Sequence, residues 1–516
     1  MYDLIIKNGK IIDGTGSPYY RSDIGIKDGK IVKIAKNLSG AENIIYAQNL
    51  TVTPGFIDSH SHSDSSLLTY PDLKEKIEQG ITTSVAGQCG SSPGPVSRDI
   101  KPENAKVIEG FGKVTDIYRT MGTFLDIAKE QTYGSNTICL VGHSQLRKAV
   151  IGMEKREPTR EEMAKMKELL RDAMEHGALG MSMGLIYPPS SYSTTEELVE
   201  LGKIVAEYDG VLAAHIRDEG KELIKATEEF IEIVKLSGAR GIHSHHKACG
   251  NKENWGKVTH SLKLIDKANE EGIEIYCDVY PYIATHTSSS VTFVPDSGQN
   301  LLARLEDENE RAKMKEWGRA KWEDDLSWAM VSKCSAYPQY EGLRIPEVAK
   351  LHGKDVYDTV YDMILDSKNA CSCCYFTMCE EDVETVMAHP RAMICTDAGV
   401  AGTRTVYHPR MRGSFPRAIG RYVRERGVTT LPEMIRKMTA MPASVYGLWS
   451  KGLIREGMDA DLCIFDADKI IDRSEYTDCT KGAEGFNYVI LGGEVVCENA
   501  VFNGKRNGKL ILRGSL

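Results

Sequence analysis

Pro54-Gly55-Phe56-Ile57-Asp58-Ser59-His60-Ser61-His62-Ser63-Asp64 closes a short apolar run with two histidines one residue apart. Side chains alternate across a strand, so residues two apart point the same way. His60 and His62 are therefore expected side by side at the end of a strand, with Asp58 and Asp64 close by. That is half of a metal site. Most isolated His-x-His pairs are merely polar surface, so the other half must come from elsewhere in the chain.

Seven more apolar runs end in the same manner. They are TSVAGQCG (83–90), TICLVGHS (137–144), GALGMSMGL (177–185), GVLAAHIRD (210–218), RGIHSHHKA (240–248), IEIYCDVYPY (273–282) and AMICTDAG (392–399). Amphipathic helical text lies between them, such as REEMAKMKELLRDAMEHG (160–177) and KELIKATEEFIEIVKLSG (221–238). Strand–helix alternation builds a parallel sheet. Eight such strands are the number that closes a (β/α)8 TIM barrel, here expected over 53–449. About 110 residues separate the last two strands, too many for a loop. They include helical text at 308–330. The region 286–390 is read as an inserted subdomain that forms a lid or wall at the catalytic face.

The two ends of the chain read differently. DLIIKNGKIIDG and DIGIKDGKIVKIAK at the start, and DADLCIFDAD and NYVILGGEVV at the finish, are β-rich. Asn-Gly and Asp-Gly break the first two as hairpin turns. Residues 1–52 and 450–516 are expected to make one small β-sandwich domain.

Composition narrows the function. The 516 residues are 41% hydrophobic and 27% charged, ordinary for a globular protein. A net charge of −9 argues against a nucleic-acid partner, which needs a basic stripe. No run approaches the roughly 20 apolar residues that span a bilayer, so no membrane partner is expected. Asp3 and Lys7 interrupt the first apolar run, unlike a signal peptide. Thirteen cysteines without such a signal suggest free thiols in a reducing cytoplasm. The expected partner is a small molecule; oligomeric state is left open.

Metal-competent residues recur at the strand ends: His60 and His62, Cys89, His215, then His243, His245 and His246, and last Asp397. In a barrel these ends share one rim, where barrel enzymes keep their sites. Zinc takes such a mixture of nitrogen, sulfur and oxygen ligands, and catalytic zinc keeps one position open.

Across nearly its whole length the chain resembles the N-acyl-D-amino-acid deacylases (D-aminoacylases) of the amidohydrolase superfamily. The motifs that carry the resemblance include GFIDSHSHSD (55–64), QGITTSVAGQCGSSPGP (79–95), HIRDEG (215–220), SHHKACG (244–250), DVYPY (278–282) and HPRMRGSFPRAIGRYVRE (408–425). The resemblance implies zinc-dependent hydrolysis of N-acyl-D-amino acids. It implies one tightly held Zn2+ on Cys89, His215 and His245, and a second, weaker position at His60 and His62 with Cys89 and Asp397. Asp397 is implied as the general acid/base. Lys247, Tyr282 and Arg410 are implied to bind the substrate carboxylate, with Ser289 assisting.

His245 aligns with the histidine of the family's Ser-His-Leu-Lys pattern, here Ser244-His245-His246-Lys247. Strand parity would place His243, His245 and Lys247 inward and His246 outward. Strand four has no lysine to be carbamylated, unlike dihydroorotases and hydantoinases. Thr396-Asp397-Ala398-Gly399 replaces the family's Ser-Asp-Gly, so the following loop is expected to differ. Cys371, Cys373, Cys374 and Cys379 fit no zinc spacing and are read as structural thiols. A cyclic amide or N-carbamoyl hydrolase would use the same metal and Asp397 without a Lys247/Arg410 clamp. An inactive scaffold barrel is the other reading, and the intact ligand set speaks against it.

Overall fold

The computed structural model describes residues 1–322, 325–400, 402 and 404–515. Eight barrel strands follow one another: Phe56–Asp58, Ile81–Ala86, Asn136–Cys139 with Val141–Gly142, Gly180–Gly184, Val211–His215, Arg240–His243, Ile275–Val279 and Ala392–Ile394. Each pairs in parallel with the next; strand three does so in two pieces, the first on strand two and the second on strand four. Strand eight returns to strand one beyond the strand ends. There the Asp397 amide donates to the His60 carbonyl at 2.9 Å, and the His62 amide donates to the Ala398 carbonyl at 3.1 Å.

Ile57, Val85, Ile138, Val211, Ile242 and Met393 gather in one buried cluster, so the barrel is a filled core and not a pore. The helices around it start where the sequence allows. Thr159 accepts the Glu162 amide at 3.2 Å while the Glu162 carboxylate accepts the Thr159 amide at 2.8 Å. This capping box satisfies two of the amide groups that open Arg160–Glu175.

Both chain ends share one nine-stranded sheet. Thr51–Pro54 is its joint, parallel to Lys10–Ile11 and antiparallel to Leu462–Phe465. The sheet thus runs to Pro54 and not to 52. The chain's last stretch leaves it for the barrel: the amides of Gly508 and Ile511 donate to the carbonyls of Tyr133 and Thr137 at 2.7 and 2.8 Å.

The insertion has its own antiparallel sheet, Thr285–Ser288, Ala329–Cys334 and Cys371–Tyr375, and its own core around Phe293, Leu305, Val331 and Tyr361. It ends earlier than 390. Helix Glu380–Ala388 packs on helix Val258–Glu270 and on strand eight, which makes it a barrel helix. Of the helical text at 308–330, Glu308–Trp322 is a helix, Ala329 begins a strand, and 323–324 lie outside the described residues. Among the described residues no helix is long and apolar enough to cross a membrane.

Candidate metal centre and active site

Cys89 Sγ stands at the centre of the barrel mouth. It lies 3.3 Å from His60 Nε2, 3.3 Å from His245 Nε2 and 3.8 Å from His215 Nδ1. Asp397 Oδ1 lies 3.1 Å from His62 Nε2 and 3.5 Å from His60 Nε2. Two donor sets result, each within 4.8 Å: Cys89, His215 and His245; and His60, His62, Cys89 and Asp397. Cys89 belongs to both.

Three of these residues occupy the left-handed region: Cys89 at φ +51°, His245 at +35° and Asp397 at +47°. Such a conformation costs a non-glycine residue roughly 1–3 kcal/mol and persists where neighbours enforce it. Around Cys89 the enforcement is visible. A Cβ on Gly87 would come within 2.1 Å of the Leu140 carbonyl oxygen, and one on Gly90 within 2.7 Å of the Gly184 nitrogen. Ser182 Oγ donates to the Gly87 carbonyl at 2.5 Å and accepts the Gly90 amide at 3.0 Å. His245 is held by Asp278, whose Oδ1 accepts its amide at 2.5 Å. The hydrogen bonds His143–Glu197 (2.9 Å) and His143–Ser190 (2.6 Å) lie behind this loop and keep His143 away from the donor atoms.

The first set suits a zinc ion. Burial holds His60, His215 and His245 well below the ordinary imidazole value, so their lone pairs are free at neutral pH. Burial, then the Asp397 charge, pushes the Cys89 thiol well above its usual range; its thiolate therefore needs a cation beside it. One carboxylate lies near both outer ring nitrogens. Glu219 Oε1 lies 3.0 Å from His245 Nδ1, and Oε2 lies 3.3 Å from His215 Nε2. A carboxylate is the partner that orients a metal-binding histidine, but here, among the described residues, His215 Nε2 has no hydrogen-bond partner and His245 Nδ1 accepts from Lys247 Nζ at 2.7 Å. Glu219 was not singled out from the sequence, although it sits in the same HIRDEG segment as His215.

The cations lie beside the donors. Arg410 Nη1 donates to Asp397 Oδ2 at 2.6 Å, and Lys247 Nζ to Glu219 Oε1 at 2.6 Å. Both lie near the Tyr280 ring, the Arg410 Cζ at 4.6 Å and Lys247 Nζ at 5.7 Å from its centre. Burial alone would raise the Asp397 carboxyl. Arg410 and the surrounding histidines outweigh it and hold the group well below the usual carboxylate range.

Three of the expected residues have other partners. The Tyr282 hydroxyl donates to Asp472 at 3.0 Å and its ring carries Arg417 at 4.6 Å. Ser289 is buried in the insertion, its Oγ 3.3 Å from Cys371 Sγ and 3.4 Å from Cys373 Sγ. His243 does not share the direction of His245. It faces the helices, with Nε2 3.4 Å from Thr227 Oγ1 and Nδ1 3.0 Å from His246 Nδ1. The strand ends at His243, and the turn through Ser244 and His245 replaces the two-residue period. Cys371, Cys373 and Cys374 are buried in an insertion strand and, among the described residues, join no metal-competent group.

The profile of the amidohydrolase family matches residues 43–317 and 377–497, leaving out most of the insertion. D-aminoacylase of Alcaligenes xylosoxydans xylosoxydans is 32% identical over 513 residues, 99% of this chain and 98% of that one. The chain belongs to the amidohydrolase family. Among solved structures, this amidohydrolase is similar to a D-aminoacylase described with a binuclear metal centre, with one-metal activation and second-metal attenuation (TM-score 0.84, 31% identity, 99% of both chains). It is equally similar to N-acyl-D-glutamate deacylase from Bordetella bronchiseptica, complexed with zinc and a phosphonate mimic of the tetrahedral intermediate (TM-score 0.84, 30% identity, 99% of both chains).

Proposed function

We propose that this amidohydrolase cleaves the amide bond of N-acyl-D-amino acids, releasing a carboxylate and a free D-amino acid. The observation that carries the reading is Asp397: its donor group shares Cys89 with the Cys89/His215/His245 set and it is paired with Arg410, while Lys247 and Arg410 both lie near the Tyr280 ring.

Cys89, His215 and His245 would hold a zinc ion, which supplies Lewis acidity to acidify water and polarise a carbonyl. Asp397 does the proton work. It is ionised at neutral pH, and its Oδ1 faces the donor groups while Oδ2 is fixed by Arg410. It takes a proton from the attacking water and returns it to the leaving nitrogen. A positioned carboxylate typically contributes about 10²–10⁴-fold. Arg410 and Lys247 are the groups we assign to the substrate carboxylate, arginine by paired parallel hydrogen bonds. The His60/His62 set would take a second metal more weakly. His62 is 32% exposed, and Asp397 is already paired with Arg410. The thirteen cysteines are all free thiols, which supports a reducing cytoplasm as the place of action.

The test is a panel of N-acetyl-D- and N-acetyl-L-amino acids, hydantoins and N-carbamoyl amino acids, with released amine measured on zinc-loaded protein. Hydrolysis confined to the D series is expected. Preference for the cyclic or carbamoyl compounds would refute the proposal, and the D side chain cleaved fastest identifies the substrate.

A further inference from the structure

We propose that a buried ion pair outside the donor sets, Lys76 with Asp58, positions the proton-transferring carboxylate of Asp397. The proposal rests on the role given to Asp397 above. Both side chains are wholly buried, and Lys76 Nζ lies 2.9 Å from Asp58 Oδ2. Lys76 reaches this place from the short helix Lys74–Ile77, and Asp58 ends strand one.

Every hydrogen-bonding position of the pair is spent beside Asp397 or on His60. Lys76 Nζ donates to Asp58 Oδ2, to Thr396 Oγ1 and to the Ala398 carbonyl, each at 2.9 Å. An ammonium has three protons, so none is left over. Asp58 Oδ1 accepts the Thr396 amide at 2.8 Å and the His60 amide at 3.4 Å, and Oδ2 accepts the Thr396 hydroxyl at 2.6 Å. Thr396 Oγ1 in turn accepts the Ala398 amide at 3.2 Å. The residues before and after Asp397 are both pinned, while Asp397 itself is at φ +47° with its amide on the His60 carbonyl.

The location explains the need. Among the described residues the first and eighth strands share no ladder, only a bridge at Ser61 and Ala398, so side chains such as Asp58 and Thr396 help to close the barrel seam. Asp397 and His60 face each other across that seam. A buried ion pair is weak support for stability, because desolvation offsets its attraction; fixing a geometry is its better use. The Thr396 hydroxyl is the hub of the network.

The test compares Thr396→Val, Thr396→Ser and Lys76→Met with the parent, all loaded with zinc. Thr396→Val removes the hydroxyl and keeps the shape, so it carries the test if Lys76→Met does not fold. We expect Thr396→Val to keep its zinc and its KM while kcat falls about 100-fold, the scale on which a small misplacement acts. Thr396→Ser should restore kcat. Hydrogen exchange of the peptide bearing Asp397 should accelerate in Thr396→Val and not in Thr396→Ser. That second readout needs no substrate, so a parent inactive on N-acyl-D-amino acids would sink the proposed function and still leave the positioning role decided by exchange. A folded, zinc-loaded Thr396→Val with parental exchange around Asp397 would overturn the proposal, as would parental kcat in an active enzyme.

Discussion

Two donor sets meet at Cys89, and they are built differently. On one side, His215 and His245 are buried, with Glu219 carboxylate oxygens 3.3 and 3.0 Å from their outer nitrogens. On the other, His62 is partly open to solvent and Asp397 is occupied by Arg410. The first arrangement sets a carboxylate within reach of two buried outer nitrogens, the partner that metal-binding histidines use. The second keeps a carboxylate ionised and oriented, which is what proton transfer asks of an acid/base. Shared position at the barrel mouth therefore conceals a division between holding and reacting.

That contrast can be broken at several points. The largest effect is expected from Asp397→Asn: kcat should fall by roughly 10²–10⁴-fold while bound zinc stays at the parental level. Loss of zinc in step with activity would mean that Asp397 holds metal after all. Glu219→Gln attacks the other side. Zinc affinity, measured by competition with a chelator, should weaken by about 10–100-fold, and an unchanged affinity would remove Glu219 from the centre.

Arg410→Leu probes the electrostatics. The guanidinium holds the Asp397 carboxyl below its ordinary value, so its loss raises that pKa. Activity needs the ionised carboxylate, so the acid limb of the kcat/KM profile should move upward by about 1–3 pH units. A downward or absent shift would contradict the pairing. The smallest effect is expected from His62→Ala. With one zinc per chain, kcat should stay within about threefold of the parent, since the proton transfer assigned to Asp397 does not run through His62. A loss as large as that of Asp397→Asn would merge the two sets.

Much of this site was legible before the structure. The eight strands showed themselves through apolar runs ended by turn residues, and the residues at those ends, Cys89, His215, His245 and Asp397, do converge. What the sequence concealed lies one step past each strand. There direction depends on the local backbone and no longer on the period of two. His243 and His245 diverge because the strand stops at His243 and His245 turns at φ +35°. Tyr282 is implied by the resemblance alone, and DVYPY carries Tyr280 as well; the fold adds that Asp472 accepts the Tyr282 hydroxyl. Ser289 lies where a strand passes into a short helix of the insertion, whose register no barrel pattern governs. Glu219 and Lys76 read as ordinary charges, since their partners are distant in sequence or hidden beyond a turn.

The most direct test of the division between the two sets is anomalous diffraction at the zinc edge from crystals loaded with one equivalent of zinc. A single peak bounded by Cys89, His215 and His245 is expected. A peak bounded instead by His60, His62 and Asp397 would contradict it.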